Sequence, residues 1–179
     1  KKEDLRHQMV KSLRLLDETL EEVPARLMPV LESKKSYSFD EKTILISVTN
    51  HRIGSQLDSD KIAKHLNKAF EKLSFKVILN CEPKDIARAQ EAGALLKMKY
   101  EIIPTPNFDD FMGLLAAVDA SWTGDGGIMH LMGAMNKPQL ILFGRTALWE
   151  WAPLSQKAIC VWHPENVNLI PEDEIEKGL

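Results

Sequence analysis

Cysteine is scarce in this sequence. Only Cys81 and Cys160 occur among 179 residues. They lie far apart and both fall in strand-like runs, so they read as reduced core residues rather than a disulfide or metal pair. An excess of positive charge is also missing. Lys and Arg number 23 against 26 Asp and Glu, a net charge of -3, which does not favour non-specific binding to nucleic acid. No apolar run is long enough to cross a bilayer, and no secretory leader is expected. Internal repeats and low-complexity tracts are absent as well. Together these absences point to a cytoplasmic protein. The first residue is Lys1 rather than Met, which reads as a fragment or a processed piece. What remains is 44% hydrophobic and 27% charged, the balance of a soluble globular protein. The length suits one sizeable domain and is short for two.

From Lys1 to about Ser33 the chain is charged and leucine-rich. Leu5, Met9, Leu13, Leu16 and Leu20 recur at helical spacing and predict an amphipathic helix. Pro24 interrupts it, and 25–31 reads as a second helical piece. This segment packs on the domain, bridges to another domain, or binds a partner or a membrane surface. Acidic residues line its polar face as much as basic ones, which weakens the membrane role. A polar linker follows over 34–41, so the chain divides into a helical segment with linker, 1–41, and a domain over 42–179.

Within that domain short apolar runs alternate with helical patterns. Strands are predicted over Thr43–Val48, Lys76–Asn80, Tyr100–Ile103, Asp119–Trp122, Gln139–Phe143 and Lys157–Trp162. Helices are predicted over Asp58–Leu73, Pro83–Leu96 and Phe108–Val118, and from the glycine turn to Pro138. This alternation calls for an α/β fold, a Rossmann-like parallel sheet with helices on both faces. Ligands in such folds sit at the carboxyl ends of the strands. The loops of interest are therefore 49–57, 81–85, 104–107, 123–127 and 144–149.

The most informative stretch is Thr123-Gly124-Asp125-Gly126-Gly127-Ile128-Met129-His130. It reads as the end of a buried strand, a glycine-dense turn and the start of a helix. Such a turn brings backbone close to a ligand, and the helix that follows aims unpaired N–H groups and a positive dipole end at it. His130 falls one turn into the helix, either within reach of the same anion or as a satisfied core histidine. Asp125, Gly126, Gly127 and His130 are thus candidates for a phosphate cradle.

The ordered set Asp-Gly-Gly-x-x-His-Leu-x-x-Ala-x-x-Lys-Pro, then Leu-Phe-Gly-Arg-Thr, then Trp151-Ala152-Pro153-Leu154, resembles the donor-binding half of glycosyltransferase family 9, which includes lipopolysaccharide heptosyltransferases. The resemblance runs from about Lys42 to Pro164 and is strongest between Asp119 and Pro153. It implies the C-terminal domain of a GT-B glycosyltransferase. It also implies transfer of heptose from an ADP-sugar to a lipopolysaccharide core acceptor, with inversion and without a metal or cofactor. Gly126, Gly127 and His130 would touch the diphosphate of the nucleotide-sugar. Asp85 would bind the ribose, with Glu82 the runner-up and an ordinary helix N-terminal acid the plainer reading. Adenine would lie along Thr105, Pro106 and Asn107. The catalytic base is expected on an N-terminal domain or companion chain. The enzyme would work in the cytoplasm or peripherally at the inner face of the inner membrane.

Three departures from the family pattern stand out. The usual Ser or Thr after the Asp is Gly126. A Lys and a Trp-Pro normally follow the first strand; here Ser55 aligns with the Lys and no Trp-Pro is present, leaving Arg52 or His51 as the cation nearby. Arg145 replaces a Pro and faces either the sugars or solvent. Trp149, Trp151 and Pro153 either pack their loop or wall a sugar pocket. Three other readings remain. One is a degenerate, non-catalytic nucleotide-sugar module. Another is a dinucleotide-binding Rossmann enzyme, which would need its glycines after the first strand where only Gly54 occurs. The third is an epimerase-like protein of the same architecture.

Overall fold

A computed structural model describes residues 36–71 and 74–178. The amphipathic segment expected over 1–33 lies outside the described residues. Six parallel strands form one sheet: β1 (Thr43–Ser47), β2 (Lys76–Cys81), β3 (Tyr100–Pro104), β4 (Ala120–Gly124), β5 (Gln139–Phe143) and β6 (Ala158–Trp162). Their order is β3-β2-β1-β4-β5-β6. The chain winds outward from β1 in one direction, then returns to β1 and winds outward in the other. That reversal opens a crevice between β1 and β4 at their carboxyl ends.

Both faces of the sheet are covered, which explains why β5 is buried at every residue and carries an unbroken apolar run. On one face Ile46, Leu79, Trp122 and Leu140 pack with Leu66, Ala89 and Ile175. These come from α1 (Ser59–Ala69), α2 (Ile86–Ala94) and α6 (Glu172–Gly178). On the other, Leu45 and Ile78 meet Leu114, Leu115 and Met132, while Ile141 and Phe143 meet Met129 and Leu148. The elements there are α3 (Phe108–Ala117), α4 (Gly127–Ala134) and the single turn α5 (Leu148–Trp151). Adjacent residues of β1 thus serve opposite faces, as the strand pleat requires.

Several boundaries differ from those expected. The first helix ends at Ala69 rather than at Leu73. The helix expected over 83–96 is broken into a 3-10 turn, Pro83–Asp85, and α2, because Asp85 leaves helical geometry at φ -105 and ψ 11. β4 begins one residue late and ends two residues late. Asp119 is drawn out of the strand when its carboxylate accepts the Thr43 N–H at 2.8 Å, and Gly124 is drawn in by pairing with Leu142. The closing helix α6 escapes the sequence pattern because Ile175 is its one buried residue. Ion pairs Lys64–Glu172 and Lys68–Glu176 tie it across to α1. Ahead of β1, Tyr37 and Phe39 pack against the second face, although the segment over 34–41 reads as a polar linker.

Candidate functional site

The glycine turn sits where the fold places its crevice. The Asp125 N–H donates to the Leu142 carbonyl at 3.0 Å, which carries the chain off the sheet from β4. Gly126 is then fully extended, with φ 174 and ψ -170, and α4 starts at Gly127. A Cβ added at Gly126 or Gly127 would meet nothing within 4 Å, so the corner is open rather than filled by side chains. The first amides of α4 have no partner within the helix, and their dipole end faces the same opening.

That opening is a cavity of about 460 Å³ running across the carboxyl ends of β1, β2 and β3. Gly124, Gly126, Gly127 and Ile128 form one end. Pro106, Phe108 and Phe111 form an apolar wall, and Phe108 is 63% exposed. Between them lie His51, Asn80, Cys81 and Glu82. Asn80 is buried and its Nδ2 donates to the Ile103 carbonyl and Thr105 Oγ1, holding the end of β3 against β2. Asn107 caps α3 by accepting the Asp110 N–H at 2.9 Å. Burial, with the charge of Asp85 added, pushes the Cys81 thiol up. The Lys84 ammonium, hydrogen-bonded to the Glu82 carboxylate at 2.7 Å, holds that acid below its ordinary value. A hollow of about 490 Å³ between Glu41, Phe70, Phe75, Met98 and Lys99 lies at the opposite, amino-terminal edge of the sheet.

The sequence-predicted residues divide by position. Gly126, Gly127 and Pro106 line the cavity. Asp125 does not; it is 1% exposed, and its carboxylate takes the Arg52 guanidinium, Nη1 to Oδ2 at 3.3 Å. The same Nη1 reaches Thr146 Oγ1 at 3.3 Å, and Asn50 Nδ2 donates to the Asp125 carbonyl at 2.7 Å. Asp125 and Arg52 therefore clamp three loops together: the one after β1, the glycine turn, and the one after β5. Ser55 is buried off the wall, and its hydroxyl has no hydrogen bond among the described residues. Asp85 also stands off the wall, with Oδ2 at 3.6 Å from His51 Nε2, while Glu82 is on it. His130 is exposed on the first turn of α4 and is not among the lining residues. Arg145 lays its stem against Gly54, Trp149 stacks edge-on with Trp162 at 5.6 Å, and Pro153 packs against Gly133.

Sequence reasoning passed over Asn50, Asn80 and the Phe108–Phe111 wall. The pair of phenylalanines carried a signal, since Phe108 continues the stripe of Phe111 and Leu115 at i, i+3 and i+7 but lies on the first turn of α3, beyond the sheet's edge, where it stays 63% exposed.

The family model for Glycosyltransferase family 9 (heptosyltransferase) matches residues 1–177. Lipooligosaccharide heptosyltransferase 2 of Haemophilus influenzae is 28% identical over 89 residues, covering 40% of this chain and 26% of that protein. The solved ADP-heptose lps heptosyltransferase II of E. coli has a TM-score of 0.72 at 20% identity, covering 87% of this chain and 54% of the other. A glycosyl transferase family 9 protein from Veillonella parvula has a TM-score of 0.79 at 14% identity, covering 99% of this chain and 60% of the other. The chain thus spans no more than three-fifths of the length of these relatives.

Proposed function

Because the chain belongs to glycosyltransferase family 9, we propose that it is the donor-binding part of an inverting glycosyltransferase. It moves a sugar, heptose from an ADP-sugar, to a lipopolysaccharide core acceptor. One observation carries this reading: the open corner where Gly126, Gly127 and the first turn of α4 border a cavity with an apolar wall at its far end. The dimensions and chemistry suit a nucleoside diphosphate. A flat base lies along Pro106 and Phe108, a ribose reaches Glu82, and the diphosphate meets the α4 amides. The solved E. coli relative is described as an ADP-heptose enzyme, which supports adenine and heptose as the donor's parts.

In the reaction the acceptor hydroxyl attacks the anomeric carbon as the bond to the diphosphate oxygen breaks. The electron pair stays on the diphosphate, and the acceptor's proton goes to a base outside this chain, on an N-terminal domain or a companion chain. Amides fixed at the amino-terminal end of α4 stabilise the growing charge without having to reorganise. No metal is needed in this scheme. Among the described residues no helix is long and apolar enough to cross a membrane. On the family reading we further propose that the work is done in the cytoplasm or at the inner face of the inner membrane, where a lipid-borne acceptor is reached peripherally.

Calorimetric titration with ADP, UDP and GDP tests the reading, with ADP expected to bind tightest. The resemblance gives His130 a place at the diphosphate although it stands off the cavity wall; His130→Ala tests that role, and unchanged ADP affinity would remove His130 from the site. A second reading, a non-catalytic nucleotide-sugar module, is favoured by the burial of Ser55 and by the engagement of Arg52 with Asp125. Turnover of ADP-heptose by the full-length protein would dismiss it.

A further inference from the structure

The peptide between Asp125 and Gly126 decides what the glycine turn offers the cavity. Its C=O and N–H point in opposite directions, because the bond is trans. Asn50 Nδ2 donates to the Asp125 carbonyl at 2.7 Å, which aims the Gly126 N–H away from Asn50. That N–H has no hydrogen-bond partner among the described residues, and Gly126 lines the cavity. Nothing in the glycine itself fixes this choice. With no Cβ and open space around it, Gly126 lets the peptide turn over at little cost. Turned over, the peptide would present a carbonyl oxygen to an incoming phosphate.

Asn50 is in turn held from behind. Its backbone N–H donates to Gln56 Oε1 at 2.6 Å. Gln56 Nε2 donates to the carbonyls of Val48 and Leu57, both at 3.0 Å, so one side-chain amide ties the start of the loop after β1 to its end. Gln56 itself is not on the cavity wall. We infer that Gln56 and Asn50 are positioning residues for donor binding: Gln56 fixes Asn50, and Asn50 turns the Asp125–Gly126 peptide so that its N–H meets the diphosphate. This rests on the nucleotide-sugar reading above and adds to it two residues that act on the backbone rather than on the ligand.

The two carbonyls that Gln56 serves have a second donor. Arg88 of α2 donates from Nε to Val48 at 2.7 Å and from Nη2 to Leu57 at 2.6 Å. Loss of the Gln56 amide therefore leaves both ends of the loop anchored and frees Asn50. Gln56→Met keeps the side chain's length and sheds its hydrogen bonds, which isolates the first step of the relay. Asn50→Leu removes the last step without adding charge.

Asp125-Gly126 is the one Asp-Gly pair in the sequence. Isotope labelling of aspartate at its carbonyl carbon and of glycine at nitrogen therefore picks out the Gly126 amide by NMR. The full chain is titrated with ADP-glucose, UDP-glucose and GDP-mannose, and the tightest of the three is carried through the variants. In wild type the Gly126 amide proton is expected to move downfield as the ligand saturates, the mark of a hydrogen bond to a charged oxygen. Asn50→Leu is expected to abolish that shift and to lose roughly tenfold in affinity, the worth of one charged hydrogen bond. Gln56→Met is expected to shrink the shift and weaken binding by a smaller factor, and it keeps the test decisive should Asn50→Leu fail to fold. A wild-type Gly126 shift in Asn50→Leu would overturn the inference, since any affinity lost would then belong to a direct contact between Asn50 and the ligand. Wild-type shift and affinity in Gln56→Met would overturn it as well, as would wild-type binding that leaves the Gly126 amide unmoved. In those cases the nucleotide-sugar reading stands. If wild type binds none of the three, the reading itself falls and takes this inference with it.

Discussion

Asp125 is almost wholly buried, and Arg52 is the charge that reaches its carboxylate. Leaving a buried carboxylate without that partner costs about 1–3 kcal/mol, so Arg52→Ala is expected to lower the melting temperature by several degrees in a chain of this size. A melt unchanged within a degree would show the clamp to be idle. The glycines of the same region behave oppositely to one another. At Gly144 an added Cβ would lie 2.2 Å from the Gly54 carbonyl oxygen, a backbone atom that cannot step aside. Gly54 itself has φ +79, which disfavours any other residue. Gly144→Ala should therefore cost about 2 kcal/mol or more. Gly126 is extended and open, and a serine there would cap α4. Gly126→Ser should hold or slightly raise the melting temperature, since serine and glycine differ at an N-cap by only a few tenths of about 1 kcal/mol. Differential scanning fluorimetry on the three variants decides all of this. The glycine turn was legible from the sequence because its signal is local. The facing of His51 and Arg52 was not. They are neighbours in the chain, and which of them meets the cavity depends on how the loop after β1 folds back over Gly144, a contact remote in sequence.

The elements divide in the same way. Strands β1, β2 and β5 announce themselves as continuous apolar runs because both their faces are covered. α6 does not, because a helix with one buried residue leaves no periodicity to read; Ile175 anchors it in the core, and the exposed ion pairs to Lys64 and Lys68 of α1 add little to that. Beneath those pairs His65 is buried edge-on to Trp122, with ring centroids 6.1 Å apart. Burial lowers its pKa from 6.5, against the opposing pull of Glu172 and Glu176. The folded state thus binds fewer protons here than the unfolded chain. Its stability is full above about pH 6.5 and is lost as the pH falls below that, by up to about 1.4 kcal/mol per pH unit until the lowered folded value is reached. Urea melts at pH 7.5 and 5.5 should show this loss in wild type and a smaller one in His65→Phe, which keeps a ring without the titration. Equal losses would assign the acid sensitivity elsewhere. Lys137 also binds elements together: its ammonium donates to the carbonyls of Ala116 and Val118 at the end of α3. The Lys-Pro pair is part of the family resemblance, yet its lysine works as a helix cap.

At the scale of the molecule two hollows of similar size compete, one at each edge of the sheet. Volume does not choose between them; the winding of the chain does. Reversal at β1 and β4 separates the loops at the carboxyl edge and leaves helix amides facing the gap, whereas the amino edge offers Phe70, Phe75 and Met98 with charges of both signs around them. On the function proposed above, a doubly charged ligand is expected at the first. Hydrogen exchange can tell the edges apart without any variant. A ligand at a hundred times its Kd stabilises the bound form by about 2.7 kcal/mol, so amides that exchange only from the ligand-free state slow by about a hundredfold. With ADP-glucose present, that protection should appear over 49–51, 81–83, 105–108 and 126–128 and be missing from 70–71, 74–76 and 98–99. The strand centres, already protected by the core, should change least. Protection confined to the amino edge would move the ligand to the other hollow and leave the α4 amides without a role.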